Sequence, residues 1–194
     1  MDFSKLTRYE RIRFLQDYGI NTVDYILLKK GKHCLNSLEF LREMSRISFR
    51  CQSATAGLDF GLPKMIDLMY EQAVNNIIIH LKAYDVLVAK AISVSAVVYT
   101  GNIAFIDGAI IVEIAAGSYT NDKVTREGHI DLRWETTRNQ FYRDIDVVVI
   151  RDVVKELVFF PFDNVVIECS IFNQLVGIKK RNYISWEVTN WKPF

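Results

Sequence analysis

The chain of 194 residues carries 24 lysines and arginines against 23 aspartates and glutamates, and half of its residues are hydrophobic. This composition excludes a disordered chain, because enough apolar surface is present to bury a sizeable core. The formal net charge of +1 excludes a general nucleic-acid binder, which needs a basic surface against the phosphate backbone.

The sequence also lacks the features of an exported or membrane-spanning protein. Residues 1–13 are charged and contain no apolar core of a signal peptide. The longest uncharged run, 91–106, is interrupted by serine, threonine and asparagine and is too short for a bilayer. Cys34, Cys51 and Cys169 have no metal-ligand spacing and predict buried, reduced thiols. We therefore expect a cytoplasmic protein with no membrane partner.

In the first half of the chain, hydrophobic spacing and turn residues predict alternating helices and strands. The predicted elements are a helix over 4–18 capped by Ser4, a strand over 23–28, a helix over 37–44, a strand over 47–51 and a flexible loop over 52–61. From Leu62 to Ala83, apolar residues recur at steps of three and four behind Pro63. This spacing predicts one long helix with a buried stripe.

Strands dominate the second half. The dipeptide Asp107-Gly108 joins two apolar runs and predicts a hairpin with a type I′ turn. The other predicted elements are strands within 86–99, a surface loop over 117–129, a helix within 138–160 and strands over 164–172, 175–178 and 182–188. Because the strands are joined by hairpins, we expect an α+β fold with mostly antiparallel sheets flanked by helices.

Two acidic residues in the predicted C-terminal strands are candidate metal ligands. Glu168 and Glu187 each lie inside an apolar strand, and Asn190 follows three residues after Glu187. If the strands pair, the three side chains converge, and two carboxylates with an amide oxygen form a hard oxygen site suited to Mg²⁺. An enzyme requires all three to face one cleft. The alternative is that both glutamates point into water from the solvated face of a sheet.

No phosphate-binding glycine loop, HExxH or GxSxG motif is present, and His33, His80 and His129 are far apart and predicted to be structural or solvent-facing. The segments VVIECSIF and YISWEVTNW, however, resemble the last strands of the ATP-grasp superfamily. YGINTVDYILL, residues 18–28, is similar to the entry of that fold, although Asn21 and Val23 replace expected prolines. Residues 86–119 are similar to its central sheet.

The resemblance implies specific roles, which are as follows: Glu168, Glu187 and Asn190 bind Mg²⁺; Val88, Ala89, Lys90 and Ala91 line the adenine of ATP; Arg50 contacts phosphates; the 52–61 loop covers the triphosphate; and Arg126 meets a γ-phosphate or acyl-phosphate as the catalytic cation. Lys90 departs from the family, in which an acidic residue is common near that position. For Arg50 and Arg126 the alternative is an ordinary surface arginine.

The resemblance further implies a two-lobed fold, with an N-terminal lobe over 1–84 and a C-terminal lobe over 85–194 that holds the metal site. The implied function is Mg·ATP binding and ATP-dependent ligation of a small carboxylate to an amine or thiol through an acyl-phosphate. Because the sequence starts at the grasp itself, we expect the acceptor site to be completed by a homo-oligomer or partner subunit, or to be lost.

Two other functions remain open at this point. The first is a non-catalytic relative that binds nucleotide or a partner protein with the same fold, which Lys90 and the incomplete acceptor site favour. The second is a binding module unrelated to nucleotides, which docks a partner through Trp134, Trp191 and the C-terminal segment 191–194. Clustered aromatic residues are more often part of a core, which weighs against the second function.

Overall fold

The structure is a computed structural model that describes residues 1–32, 35–56, 61–117, 129–140 and 145–191. Within these residues the helices are α1 (Arg8–Asp17), α2 (Tyr70–His80) and α3 (Val148–Leu157), with 3₁₀ segments at Phe3–Lys5, Leu35–Glu43 and Val94–Ala96. The strands are β1 (Ile26–Leu28), β2 (Ile47–Gln52), β3 (Lys64–Leu68), β4 (Asp85–Lys90), β5 (Val97–Ile106), β6 (Ala109–Ala116), β7 (Leu132–Thr137), β8 (Val165–Val176) and β9 (Arg181–Asn190). All strand pairs are antiparallel, which confirms the predicted α+β class.

The chain divides into two compact units. The five-stranded unit comprises residues 1–3, 11–23 and 94–194, and the four-stranded unit comprises residues 4–10 and 24–93. The division after Ser93 differs from the boundary at 84/85 given by the resemblance, because β4 pairs with β1 and β2 in the four-stranded sheet. No helix in the described part of the chain has the length and apolar character needed to cross a membrane.

The four-stranded unit has the strand order β1-β4-β2-β3, and α2 covers one face of its sheet. Alternate residues of β2 and β4, including Phe49 and Val88, are buried in a core that Ala73, Val74 and Ile77 of α2 share. The predicted stripe of α2 is therefore confirmed as core. The predicted helix over 37–44 is instead a 3₁₀ segment, which contributes Leu38 and Leu41 to the same core.

The predicted helix over 62–83 is wrong over its first residues, which form strand β3. Met65 and Ile66 are exposed on this edge strand, and the register with β2 shifts at a bulge where Asp67 has a φ of 59°. The helix begins only at Tyr70. Apolar residues at steps of three and four predict a helix from local sequence alone, whereas pairing with β2 decides the structure here.

The start of α1 also differs from the prediction. Thr7, not Ser4, precedes the helix, and the Glu10 backbone N–H donates to Thr7 Oγ1 while the Thr7 N–H donates to a Glu10 carboxylate oxygen at 2.7 Å. This reciprocal arrangement is a capping box. The hydrogen bonds from Thr7 lower the pKa of Glu10, because they stabilise its ionised form.

The five-stranded unit has the strand order β7-β6-β5-β8-β9. Asp107 and Gly108 have φ angles of 49° and 82° between β5 and β6, as a type I′ turn requires, so the predicted hairpin is confirmed. The sequence did not predict β7, and the predicted strand over 175–178 is divided between the end of β8 and a turn. Most of the predicted 117–129 loop lies outside the described residues.

Helix α3 lies on one face of this sheet, where the predicted helix within 138–160 is confirmed over a shorter length. Its residues Ile150, Val153 and Val154 are buried, and the Tyr183 hydroxyl of β9 donates to Glu156 of α3 at 3.0 Å. Burial, and then the negative charge of Glu156, raise the pKa of Tyr183 above its ordinary range. Tyr183 therefore remains a neutral donor that fixes the helix to this face of the sheet.

Asn21 holds the hairpin that carries both candidate glutamates. It is fully buried, and its side-chain amide donates to Tyr183 O and to Val176 O, the latter at 3.0 Å, while its oxygen accepts from the Lys179 N–H at 2.7 Å. A proline, which the resemblance leads one to expect at this position, could make none of these bonds. The departure at Asn21 therefore has a structural explanation.

We expect Asn21→Ala to lower the free energy of unfolding by about 2 kcal/mol, because two buried carbonyl oxygens and the Lys179 N–H lose their partner. Chemical denaturation followed by circular dichroism measures this change. Asn139→Ala, at an exposed turn residue, is the matched control and is expected to stay within about 0.5 kcal/mol of the original protein. An Asn21→Ala protein as stable as the control would contradict the assigned role.

Candidate functional site

One polar residue from each strand of the five-stranded sheet lies in a continuous row. The register pairs Arg133 with Glu113, Glu113 with Asn102, Asn102 with Glu168, and Glu168 with Glu187. Residues directly opposite each other on antiparallel strands point to the same face, so these five side chains share one face of the sheet. We call them the polar row.

The polar row lies on the face opposite to α3. The next residues along the strands form an apolar row across the same sheet, comprising Trp134, Val112, Ile103, Ile167 and Val188. Four of these five residues are buried. On the same face of the sheet, Tyr183 contacts Glu156 of α3, and Phe105 contacts Phe160, which follows α3 in the chain. The polar row therefore lies on the face of the sheet that does not pack against α3.

Glu168 and Glu187 are brought together, as the sequence leads one to expect if the two C-terminal strands pair. They are direct partners across β8 and β9, with Glu168 half-buried and Glu187 only 5% exposed. Two opposed carboxylates repel each other, so the pair favours a cation beside it. Burial, and then the charge of Glu168, raise the pKa of the neighbouring Cys169 thiol to about 12, so this cysteine stays protonated and is no nucleophile at neutral pH.

A bulge in β9 produces this pairing. The register shifts next to Glu168, so that Trp186 is the extra residue between Glu187 and Ser185. The Trp186 ring N–H donates to Ser170 Oγ at 2.7 Å, and Ser170 shares a second hydrogen bond of 3.1 Å with Thr100. This chain of polar groups fixes the bulge and with it the position of Glu187.

Arg11 of α1 supplies a cation to the pair. Its guanidinium forms an ion pair with Glu187, and the Arg11 residue is only 6% exposed. A second nitrogen of the same group lies 3.4 Å from the carbonyl oxygen of Phe3, to which it donates. Sequence analysis missed Arg11, because nothing in the pattern of α1 distinguishes it from the neighbouring Arg8 and Arg13.

The structure does not bring Asn190 together with the two glutamates. Asn190 pairs with Val165, an odd number of residues from the Glu168–Glu187 pair, which places it on the other face of the sheet. Its oxygen accepts from the Phe3 N–H at 3.1 Å, and its amide nitrogen donates to Asp2 at 2.6 Å. Thr189, two residues after Glu187, is the β9 residue that shares the polar face.

Asn190 and Arg11 both contact the N-terminal segment, residues 1–3. Phe3 is fully buried and its ring packs edge-on against Phe14 and Phe162, at centroid distances of 5.0 and 6.0 Å. This aromatic packing holds the backbone of Phe3, whose N–H reaches Asn190 and whose carbonyl accepts from Arg11. The N-terminal segment therefore binds the Asn190 side chain directly and is linked to Glu187 through Arg11. Both Asn190 and Glu187 are predicted metal ligands.

At the other end of the polar row, Arg133 lies 2.8 Å from Glu113 in an exposed ion pair. Asn102 lies between Glu113 and Glu168. Asn102 and Glu113 can be placed beside Glu168 only when the order and register of strands β8, β5 and β6 are known. The sequence alone does not provide that order. In the described residues, no group of three or more histidine, cysteine, aspartate or glutamate side chains is arranged to hold a metal ion.

The predicted nucleotide contacts lie in the four-stranded unit. Arg50 is half-buried on β2, directly between Leu87 of β4 and Lys64 of β3. Because neighbouring residues point to opposite faces, Arg50 lies away from the core that contains Phe49. Two cationic side chains therefore lie side by side, an arrangement suited to phosphate oxygens. Lys64 was not predicted.

The predicted adenine-lining residues differ in their surroundings. Val88 is buried in the core with α2, whereas Ala89 is buried on the opposite face and Lys90 is exposed. The Ala91 N–H donates to the Arg46 carbonyl at 2.9 Å. The side chain of Val88 thus packs inside the unit, and the side chains of Ala89 and Lys90 point to opposite faces of the sheet. Arg126 lies outside the described residues.

No protein-family model matches the sequence, and no curated protein is significantly similar to it. Solved structures do match the fold. D-alanine–D-alanine ligase from Helicobacter pylori aligns with 98% of this chain at 17% identity and a TM-score of 0.53. D-cycloserine synthetase DcsG aligns with 98% at 15% identity and a TM-score of 0.51. The ATP-grasp ligase PsnB, solved with Mg and ADP, aligns with 99% at 11% identity and a TM-score of 0.51.

The chain spans 52%, 63% and 51% of the lengths of these three proteins, respectively. Identities this low establish similarity of fold and carry no information about substrate. The match nevertheless extends over nearly the whole chain, and it includes both sheets that the ATP-grasp resemblance predicts. The chain therefore has the fold of the ATP-grasp ligases.

Proposed function

We propose that this protein binds a nucleoside triphosphate together with Mg²⁺, and that the metal lies at the polar row. The observation that carries the proposal is the direct pairing of Glu168 with Glu187 in a chain that has the ATP-grasp fold. The PsnB structure, which holds Mg and ADP, supports the choice of ligands by its similarity of fold.

The donor set of the polar row fits Mg²⁺. Glu168, Glu187 and Asn102 offer two carboxylates and an amide oxygen on one face, and hard oxygen donors are the ligands that this ion takes in proteins. Asn190, which the sequence predicts as the third ligand, lies on the other face, so its amide does not support the proposal. When bound, Mg²⁺ would neutralise charge on the phosphate oxygens of the nucleotide.

The residues of the chain would do the remaining work by position and charge. Arg50, beside Lys64 on β3, is proposed to bind phosphate oxygens, and the backbone of residues 88–91 is proposed to contact the adenine. Arg126 stays a prediction as the cation at the transferred phosphoryl group. Such groups act by holding the reactants in place and by stabilising charge, with no covalent bond to the protein.

The reaction proposed for these groups is ATP-dependent ligation. A carboxylate oxygen of the substrate would attack the γ-phosphorus of ATP, ADP would leave, and an acyl-phosphate would form. An amine or thiol would then attack the acyl carbon and release inorganic phosphate. The acceptor would be supplied with the help of a homo-oligomer or a partner subunit.

A non-catalytic nucleotide-binding or protein-interaction subunit is the second candidate. Two observations favour it: Asn190 is engaged by residues 2 and 3, and Glu187 already has Arg11 as a cation. An enzyme was expected to have all three predicted ligands facing one cleft, and only two of them share a face. Nucleotide-induced thermal stabilisation without release of ADP, in the presence of candidate acceptors, would identify this second function.

We expect Glu168→Gln to weaken the binding of Mg·ATP by about tenfold or more, equivalent to about 1.4 kcal/mol, because an amide is a poorer ligand for Mg²⁺ than a carboxylate. Binding of ATP without metal is expected to change little. Isothermal titration calorimetry with and without Mg²⁺ measures both affinities.

Glu71→Gln is the matched control, because Glu71 is exposed in the first turn of α2 and takes no part in the polar row. It is expected to bind Mg·ATP like the original protein. An original protein that shows no heat of binding at millimolar ATP with Mg²⁺ would refute the proposed function. Equal affinities of the Glu168→Gln and Glu71→Gln proteins would refute the role of Glu168.

A further inference from the structure

The Arg11–Glu187 ion pair is far less exposed than eight other ion pairs of the described residues. The side chains of Arg11 and Glu187 are 8% and 6% exposed, whereas in each of the others at least one partner is 26% exposed or more. A buried carboxylate is stable only with a compensating partner, and a guanidinium meets this need with charge and directed hydrogen bonds. Arg11 is therefore the internal cation of Glu187.

The position of Arg11 is fixed by the elements around it. Ile12 and Leu15 of α1 are buried, and Phe14 of the same helix packs against Phe3. The Phe3 carbonyl accepts from the guanidinium, and the Phe3 N–H holds Asn190 at the end of β9. Arg11 is thus held against Glu187 by packing as well as by charge.

We infer that Arg11 competes with divalent metal ions for Glu187, so that it takes the place of a metal cation at this end of the polar row. This inference rests on the proposed metal-binding function of the row. A guanidinium and a divalent cation at one buried carboxylate repel each other and compete for its oxygens. Arg11 therefore lowers the affinity of Glu187 for metal and holds the carboxylate in its orientation through the ion pair.

The inference predicts rescue by metal. Arg11→Met removes the charge and keeps an unbranched apolar side chain, which leaves Glu187 buried without its guanidinium partner. A divalent cation that binds the native state only must then stabilise that state by mass action. We expect Mg²⁺ or Mn²⁺ to raise the Tm of Arg11→Met by several degrees more than that of the original protein.

The experiment is thermal unfolding of the full chain with increasing Mg²⁺ or Mn²⁺ and no nucleotide. Arg13→Met is the matched control, because Arg13 is an exposed residue of the same helix, and its metal response is expected to equal that of the original protein. The double variant Arg11→Met/Glu187→Gln is expected to lose the additional metal response. Arg11→Lys, which keeps a positive charge near Glu187, is expected to behave like the original protein.

Each result decides the inference. Equal metal-induced shifts for Arg11→Met and the original protein would overturn it, as would an additional shift that persists in the double variant. If Arg11→Met is unfolded without metal, Mg²⁺ or Mn²⁺ is expected to restore folding, and failure to do so would equally overturn it. Because no nucleotide is present, a protein that fails to bind ATP would refute the proposed function and leave this metal test intact.

Discussion

Gly101→Ala is expected to lower the free energy of unfolding by roughly 3 kcal/mol, the upper end of the usual cost of adding atoms to a packed interior. Gly101 lies on β5 opposite Ile114, and a Cβ atom there would be 2.0 Å from the carbonyl oxygen of Glu113 and 2.8 Å from the Cα of Ile114. Both atoms belong to backbone, so no side chain can move aside. Strands β5 and β6 must separate locally.

The separation would also disturb the polar row, because Asn102 and Glu113 are paired beside Gly101. We therefore expect the variant to lose both stability and metal response. Urea denaturation measures the first effect, and Gly108→Ala is the control, since Gly108 has a φ of 82° but open space around its Cα. The control is expected to cost only about 1 kcal/mol of backbone strain. Equal losses in the two variants would exclude the steric explanation.

The sequence predicted the part of the site that depends on strand pairing. Glu168 and Glu187 lie in two apolar strands near the C-terminus, and their convergence was predicted on the condition that these strands pair, which neighbouring antiparallel strands commonly do. The hairpin at Asp107-Gly108 followed from a local turn signal. The ATP-grasp fold was predictable because the order of such local elements resembles that of the family.

The rest of the site depends on contacts between distant segments. Arg11 faces Glu187 only because α1 and the N-terminal segment pack beside β9, which no local pattern encodes. Asn190 was predicted from its spacing after Glu187, yet an odd step along a strand places it on the other face. Strand β3 was also missed because it depends on a contact between distant segments: its pairing with β2 overrides the helical spacing of Met65 and its neighbours.

The energetic strength of the Arg11–Glu187 pair can be measured by a double-mutant cycle. We expect Arg11→Met and Glu187→Gln each to lower the free energy of unfolding by about 3–5 kcal/mol, because each leaves the other side chain buried without its charged partner. The double variant is expected to be more stable than the sum of these losses predicts. Chemical denaturation of the four proteins without divalent cations gives the coupling energy.

The same cycle distinguishes two explanations of how the buried Glu187 carboxylate is stabilised. If Arg11 is its principal partner, the coupling energy is large, and Glu187→Gln in the Arg11→Met background costs little stability. If other polar contacts dominate, the two losses add, and the coupling energy falls below about 0.5 kcal/mol. Glu187→Gln is also expected to weaken Mg·ATP binding strongly, since it removes one of the two opposed carboxylates. A large coupling energy with unchanged Mg·ATP affinity would assign Glu187 to stability alone and leave Glu168 as the metal ligand of the pair.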